Sequence, residues 1–321
     1  MGMATLAIEK AQTRKSRSLF VDVLARLVRE KPMGLVGAII VLIMFLTGIF
    51  ANFLAPHGYN AFIAGQFLKP PSLAFPMGTD NVGRDIFSRV IYGARVSMIV
   101  GLCGSVLDVF VATIIGSMSG FIGGKFDMVV QRFVDAFMCF PGLMLLITLM
   151  SLMGTGMAQV IFVLGLVWGV GGSRVVRGAV IAVKENVYIE ASRAVGGSTR
   201  TTIFRHVLPN ILAPIIVLFT TAVGGIVLAE ASLSFLGYGI PPPTPSWGGM
   251  LGTSGRSYML IAPWMVIWPG VALTVAVFGI NMFGDALRDL LDPRLRGGVG
   301  RYGSARVERI KSRIQSMKTA R

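Results

Sequence analysis

The side chains in this sequence with the chemistry to hold a metal, a phosphate or a reacting proton are few and scattered. Asp80 and Asp85 share the run Phe75-Pro-Met-Gly-Thr-Asp-Asn-Val-Gly-Arg-Asp85, which invites a paired-carboxylate or calcium-loop reading. The alternating ligands of a calcium loop are missing and Arg84 lies between the acids, so loop capping and a local ion pair are expected instead. Ser119-Gly-Phe-Ile-Gly-Gly-Lys125-Phe126 has the glycines and lysine of a phosphate loop but neither its first glycine nor its closing Ser or Thr. Gly298-Val-Gly300-Arg-Tyr-Gly303 fits GxGxxG, yet it lies in a basic tail with no strand before it. Cys103 and Cys139 sit inside apolar segments, which predicts inert core thiols, and His57 and His206 are too far apart to complete a metal site. No HExxH or nucleophile elbow appears. The chain is expected to do no chemistry itself and to bind no cofactor.

The elements that must carry these residues are membrane helices. Hydrophobic residues make up 54% of the chain and charged ones 14%, with a mean hydropathy of +0.71, well above the apolar content of soluble domains. The pattern predicts an all-α, polytopic membrane helical bundle with six spans at 33–54, 96–120, 130–152, 160–176, 211–231 and 264–287. Residues 1–32 form a basic region ending in an amphipathic pattern (Leu19, Phe20, Val23, Leu24, Leu27, Val28) suited to the membrane surface. Residues 33–287 form the membrane domain and 288–321 a basic tail with a second amphipathic pattern, suited to membrane lipids or a partner. No short apolar core with a small-residue cleavage site precedes the first span, so no cleaved signal peptide is expected.

The net charge of +15 raises nucleic acid as a partner, but its distribution argues against it. Of the 30 Lys and Arg residues, only Lys69, Arg84, Arg89, Arg95 and Arg256 fall on one side of the predicted spans. The rest fall on the other, which by the positive-inside rule puts both termini and the 184–210 stretch in the cytoplasm. The loops 55–95 and 236–262 then face outward. Proline-rich 241–245 makes the second of these stiff, and Trp247, Tyr258, Trp264 and Trp268 predict an aromatic belt at that face.

Two groups of polar residues remain. Asp108, Asp135, Glu230, Asn281 and Asp285 fall in or beside spans, where a carboxylate is costly and turns to a cavity or a partner. Asp108 and Asp135 are candidates for a translocation path, with cross-helix hydrogen bonding the alternative. Glu230 and Asp285 lie near span ends and suit packing. The other group is 184–210, KENVYIEASRAVGGSTRTTIFRHVLPN. A short helix is predicted from Tyr188 to Arg193, with Asn186 as N-cap and Glu190 in its first turn. Gly196 and Gly197 stop it, Ser198 or Thr199 caps a second helix running to His206, and Leu208-Pro209 opens the next span. A helix-Gly-helix element between two spans is suited to docking.

Glu190-Ala191-Ser192, then Gly196, then Leu208-Pro209 resembles the EAA-x3-G-x9-I-x-L-P loop of permease subunits in bacterial ATP-binding-cassette importers. Ser192 replaces the second alanine and His206 stands where isoleucine is usual. The Arg205-His206-Val-Leu-Pro-Asn210 form resembles the dipeptide, oligopeptide and nickel subclass, second permease of the pair. So do Gly78-Thr79-Asp80 with Gly83-Arg84-Asp85, Tyr92-Gly-Ala-Arg95, Glu230-Ala-x-Leu-Ser-Phe-Leu-Gly237, Pro245-Ser-Trp-Gly248 and the stretch from Asn281 to Pro293. The resemblance covers about residues 20–296. It implies a type I importer permease of the inner membrane that forms half of a peptide-conducting pore beside a homologous second permease. Glu190, Ala191, Ser192, Gly196, His206, Leu208 and Pro209 would form the coupling element on an ATPase subunit that uses ATP and magnesium. A periplasmic solute-binding protein would deliver the substrate, with dipeptides, longer peptides, glutathione and nickel complexes left open. A secondary transporter and an intramembrane enzyme are the competing classes.

Overall fold

The structure, a computed structural model, describes residues 26–196 and 198–291. Most of the N-terminal amphipathic pattern, Gly197, and the glycine-rich and amphipathic tail motifs lie outside the described residues. Helix α1 (Pro32–Ile49) and the single turn α2 (Ala51–Leu54) come first. After a long loop follow α3 (Ile86–Ile122), α4 (Gly124–Met138), α5 (Gly142–Met153) and α6 (Met157–Lys184). Then come α7 (Val187–Ala194), α8 (Thr199–Thr202), a π turn (Ile203–Val207), α9 (Leu208–Asn210) and α10 (Leu212–Phe235). Two short helices, α11 (Trp247–Leu251) and α12 (Thr253–Tyr258), precede α13 (Trp264–Leu291). Met33–Asp285 form one compact unit. In the other, among residues 26–32 and 286–291, Lys31 Nζ meets Asp289 Oδ2 at 2.5 Å.

Among the described residues, five helices are long and apolar enough to cross a membrane: α1, α3, α6, α10 and α13. The third predicted span departs from a single rod. It is α4 and α5, bent by 90° between Met138 and Gly142, and the spans number six when this pair counts as one. Pro141 sits at the break; it lacks an N–H and disfavours helical geometry in the residue before it. Helix α5, with 12 residues, is about 18 Å long and falls short of the ~30 Å apolar core of a bilayer. Its residues Leu146 and Met150 are buried with Val96 and Val100 of α3, Val160, Val163 and Leu164 of α6, and Ala222 and Ile226 of α10.

Helices α3 and α6 pack along one another through small residues spaced four apart: Ala112, Gly116 and Gly120 on α3, and Gly165, Gly169 and Ser173 on α6. A methyl group built on Gly116 would stand 2.5 Å from the Ser173 carbonyl oxygen, and one on Gly169 would stand 2.6 Å from Val111 Cβ. Neither fits. Without a hydrophobic drive between helices in lipid, such backbone approach is what lets dispersion forces hold a pair together. At the far ends of α3 and α6, Arg177 Nε reaches Asp127 Oδ1 of α4 at 2.6 Å, and Ser119 Oγ donates to the same carboxylate. This polar cluster occupies the stretch that imitates a phosphate loop.

The 55–85 loop uses its acids as expected. Asp80 Oδ1 accepts the backbone N–H groups of Val82 and Arg84 at 2.9 Å, and Arg84 Nε bonds Oδ2 at 2.7 Å. Asp85 caps α3, accepting from Ser88 N at 3.0 Å and Phe87 N at 3.3 Å. Two expectations fail. Trp247 is buried in the core with its indole N–H on the Val90 carbonyl oxygen at 3.0 Å, so it is an anchor and no member of an aromatic belt. Cys103 and Cys139 are free thiols exposed on the surface of the chain, because each lies on the outward side of its helix end or face.

Candidate functional site

The polar stretch between α6 and α10 folds as a compact bracket. At the end of α6, Asn186 turns its Nδ2 group back to the carbonyls of Val183 at 2.9 Å and Ala182 at 3.3 Å. The side chain therefore closes α6, where sequence reasoning gave it to the start of the next helix. Helix α7 then runs from Val187 to Ala194 with Glu190 in its first turn, where its charge complements the positive helix end. Gly196 adopts φ +84°, a left-handed conformation that favours glycine. Ser198 caps α8, its Oγ accepting from Thr201 N at 3.2 Å.

The second helix does not stop at His206. It widens into the π turn Ile203–Val207 and continues through α9 to Asn210. Pro209 has no N–H to give to the carbonyl four residues back, which loosens the ladder at this point. Asn210 Nδ2 bonds the His206 carbonyl oxygen at 2.6 Å, one residue past the carbonyl that Pro209 leaves without its helical donor.

The bracket is pinned by residues that the motif does not include. Ile189 of α7, Val207 and Ile211 are fully or almost fully buried, packed with Phe121 and Ala112 of α3 and Val176 and Val180 of α6. Their signal in the sequence is an isolated isoleucine in a polar helix and the four-residue spacing Ile203, Val207, Ile211. Of the motif residues, only Leu208 packs against this cluster. Glu190, Ala191, Gly196 and Pro209 are exposed, while Ser192, His206 and Leu208 are half-buried. Beside them stand exposed apolar side chains, Val187, Tyr188, Val195 at 90% exposure and Phe204 at 70%. Apolar groups held outward by a buried anchor make a surface for a protein partner.

The two acids predicted for a path are not brought together. Asp108 is buried at the middle of α3, at 1% exposure, and lines a cleft of about 420 Å³. The other walls are Phe137 and Met138 of α4, Phe140 at the bend, Val167, Trp168, Gly171 and Gly172 of α6, and Leu218 and Thr221 of α10. Asp135 is absent from that lining; its carboxylate is paired with Arg174 and lies 3.7 Å from Arg132. It is half-exposed and locally neutralised, so it is set apart from the cleft. Glu230 is fully buried near the end of α10, with Ser234 Oγ donating to its Oε1 at 2.7 Å.

Comparison with known proteins agrees with this architecture. Residues 112–297 match the family described as binding-protein-dependent transport system inner membrane component, and residues 18–71 match the N-terminal TM domain of oligopeptide transport permease C. The oligopeptide transport system permease protein OppC of Bacillus subtilis (strain 168) is 37% identical over 284 residues, 88% of this chain and 92% of that protein. The glutathione transport system permease protein GsiD of Escherichia coli O6:K15:H31 is 37% identical over 270 residues, 84% of this chain and 89% of that protein. A chain of the MetNI methionine ABC transporter, in an inward-facing conformation, shares the fold with a TM-score of 0.52 and 18% identity, over 64% of this chain and 96% of its own. With more than half of its length matched, and with relatives of this identity covered almost end to end, the chain belongs to the inner membrane components of binding-protein-dependent transport systems.

Proposed function

We propose that this chain is a non-catalytic permease subunit of an ATP-driven peptide importer, forming half of the pore beside a homologous second permease. The bracket 184–210 docks on an ATP-binding-cassette ATPase subunit, which binds and hydrolyses ATP with magnesium, and the outer loops 55–95 and 236–262 receive a periplasmic solute-binding protein. Both termini face the cytoplasm on this reading. The observation that carries it is the bracket itself: a short helix with its inner face locked by Ile189 and its outer face presenting exposed apolar residues beside the EAA-like motif. A rigid element rooted in two spans transmits the closure of a partner into the membrane, where a flexible loop would absorb it. Peptides are favoured as substrate because the relatives matched over most of this chain carry oligopeptide and glutathione transport names.

The test is reconstitution. The chain is purified with its co-assembling permease, ATPase and binding protein, and uptake of labelled trialanine into proteoliposomes is followed with and without internal ATP. Uptake that needs ATP and every partner is expected. Uptake by the purified single chain without ATP would instead make it a secondary transporter.

A further inference from the structure

The cleft beside Asp108 has a chemical selectivity that its lining spells out. The carboxylate is buried and neither of its oxygens has a hydrogen-bond partner. Gly172 leaves the room it occupies: a methyl group there would lie 3.2 Å from Asp108 Oδ1 and 3.2 Å from Leu218 Cδ2. The nearby hydroxyls are committed elsewhere. Thr221 Oγ1 donates to the carbonyls of Val217 and Leu218 at 3.0 Å, Ser105 Oγ to Gly101 at 2.7 Å, and Ser173 Oγ to Val170 at 2.6 Å. An unpaired carboxylate in a low-dielectric bundle is costly and is relieved by a cation. No lysine or arginine lies among the residues lining the cleft, while Phe137, Phe140 and Trp168 do. Aromatic side chains lining a cleft with a buried acid favour an organic cation over an anion or a neutral solute.

We propose that this cleft is a binding site for a primary ammonium group, with Asp108 as its counter-ion, and that in transport it holds the free α-amino end of a peptide. The proposal deepens the peptide-importer reading and rests on it for the identity of the transported amine. The volume of about 420 Å³ suits one terminal residue and the peptide bond after it. Trp168 lines the same cleft and carries an indole N–H, a donor of the kind a peptide carbonyl accepts from. A peptide with a blocked amino end brings a neutral amide to a carboxylate that needs a charge, and it is disfavoured.

The experiment uses the full complex in nanodiscs, titrated with trialanine and N-acetyl-trialanine while Trp168 emission is read as the difference between wild type and Trp168→Phe. Binding of trialanine at least about tenfold tighter than its acetylated form is expected, from the strength of a charge-assisted hydrogen bond. Asp108→Asn abolishes that preference and Asp108→Glu retains it. Equal binding of the two probes by wild type, or a preference that survives in Asp108→Asn, overturns the proposal. If Asp108→Asn fails to assemble, wild type and Asp108→Glu decide: no amine preference in either means that the carboxylate pairs with a cation of a neighbouring subunit, which also overturns it. If the wild-type complex imports no peptide with ATP, the importer reading fails separately. The same titration with n-butylammonium against n-butanol then judges the site, with ammonium preference lost in Asp108→Asn as support and no preference as refutation.

Discussion

Phe204 gives the sharpest test of the bracket as a docking surface. Its ring is 70% exposed on the π turn, while its neighbour in the chain, Ile203, is turned toward the buried cluster of Val207 and Ile211. If an ATPase groove covers the ring, a side chain of about 200 Å² at 70% exposure removes about 140 Å² from water, worth at most about 3.5 kcal/mol at ~25 cal/mol per Å². Alanine keeps Cβ, and burial at an edge is incomplete, so about 2 kcal/mol is expected for Phe204→Ala, a loss of about 30-fold in affinity. The assay titrates nanodisc-embedded permease with purified ATPase subunit and reads both binding and stimulated ATP hydrolysis. Thermal unfolding of the variant should match wild type, since the side chain makes few contacts within the chain. Leu260→Ala, at 93% exposure in the 236–262 loop, is the control and should leave ATPase binding unchanged. Affinity of Phe204→Ala within about twofold of wild type would refute the docking of this face, because a ring buried in a groove contributes more than that.

Two further outcomes follow from the same geometry. Gly116→Leu drives a side chain into the Ser173 backbone, where even a methyl group has 2.5 Å; stability in detergent should fall by about 1–3 kcal/mol or more, read as a lower Tm, and an unchanged Tm would contradict the interlock of α3 and α6. Gly196→Asp meets no atom within 4 Å but must adopt φ +84°, costing about 1 kcal/mol, so the protein should reach the membrane at near-normal levels while ATP-driven uptake is lost; equal loss of protein and uptake would make it a folding defect.

The long helices were legible because a membrane span announces itself by length and apolarity alone, and α1, α3, α6, α10 and α13 fall where hydropathy puts them. The bend was not. The stretch 130–152 is apolar throughout its second half, and only Pro141 hints that it turns by 90°. Proline in membrane helices is often no more than a kink, so its effect depends on whether neighbours re-satisfy the freed carbonyls. In the bracket, the stop at Gly196 and the cap at Ser198 were readable from local chemistry. The anchors Ile189 and Val207 were not, because their burial depends on where α3 and α6 end in space. Trp247 misled for a similar reason: an aromatic residue near a span end fits a belt by composition, and only the Val90 carbonyl and the missing Cβ of Gly93 beside it make it a core residue.

How a push on the bracket reaches the cleft follows from which parts of the fold can give. Helix α6 runs without a break from the cleft wall at Trp168 and Gly172, past Arg177, to the bracket at Lys184. It cannot slide along α3, since Gly116 and Gly169 leave no slack for a different register. Helix α4 is tied to α6 through Asp127 and Arg177. On the proposed reading these three helices respond to the ATPase as one body, and the compliance lies where the ladder is already interrupted: at the bend between α4 and α5, and at the π turn. The bend carries Phe140, and Phe137, Met138 and Leu145 flank it on the cleft wall. A change of angle there moves Phe140 and Leu145 toward or away from Asp108 without disturbing the α3–α6 seam. The cleft is therefore placed where a displacement of the bracket alters its width, which is what an importer needs to bind a cation in one state and release it in the other.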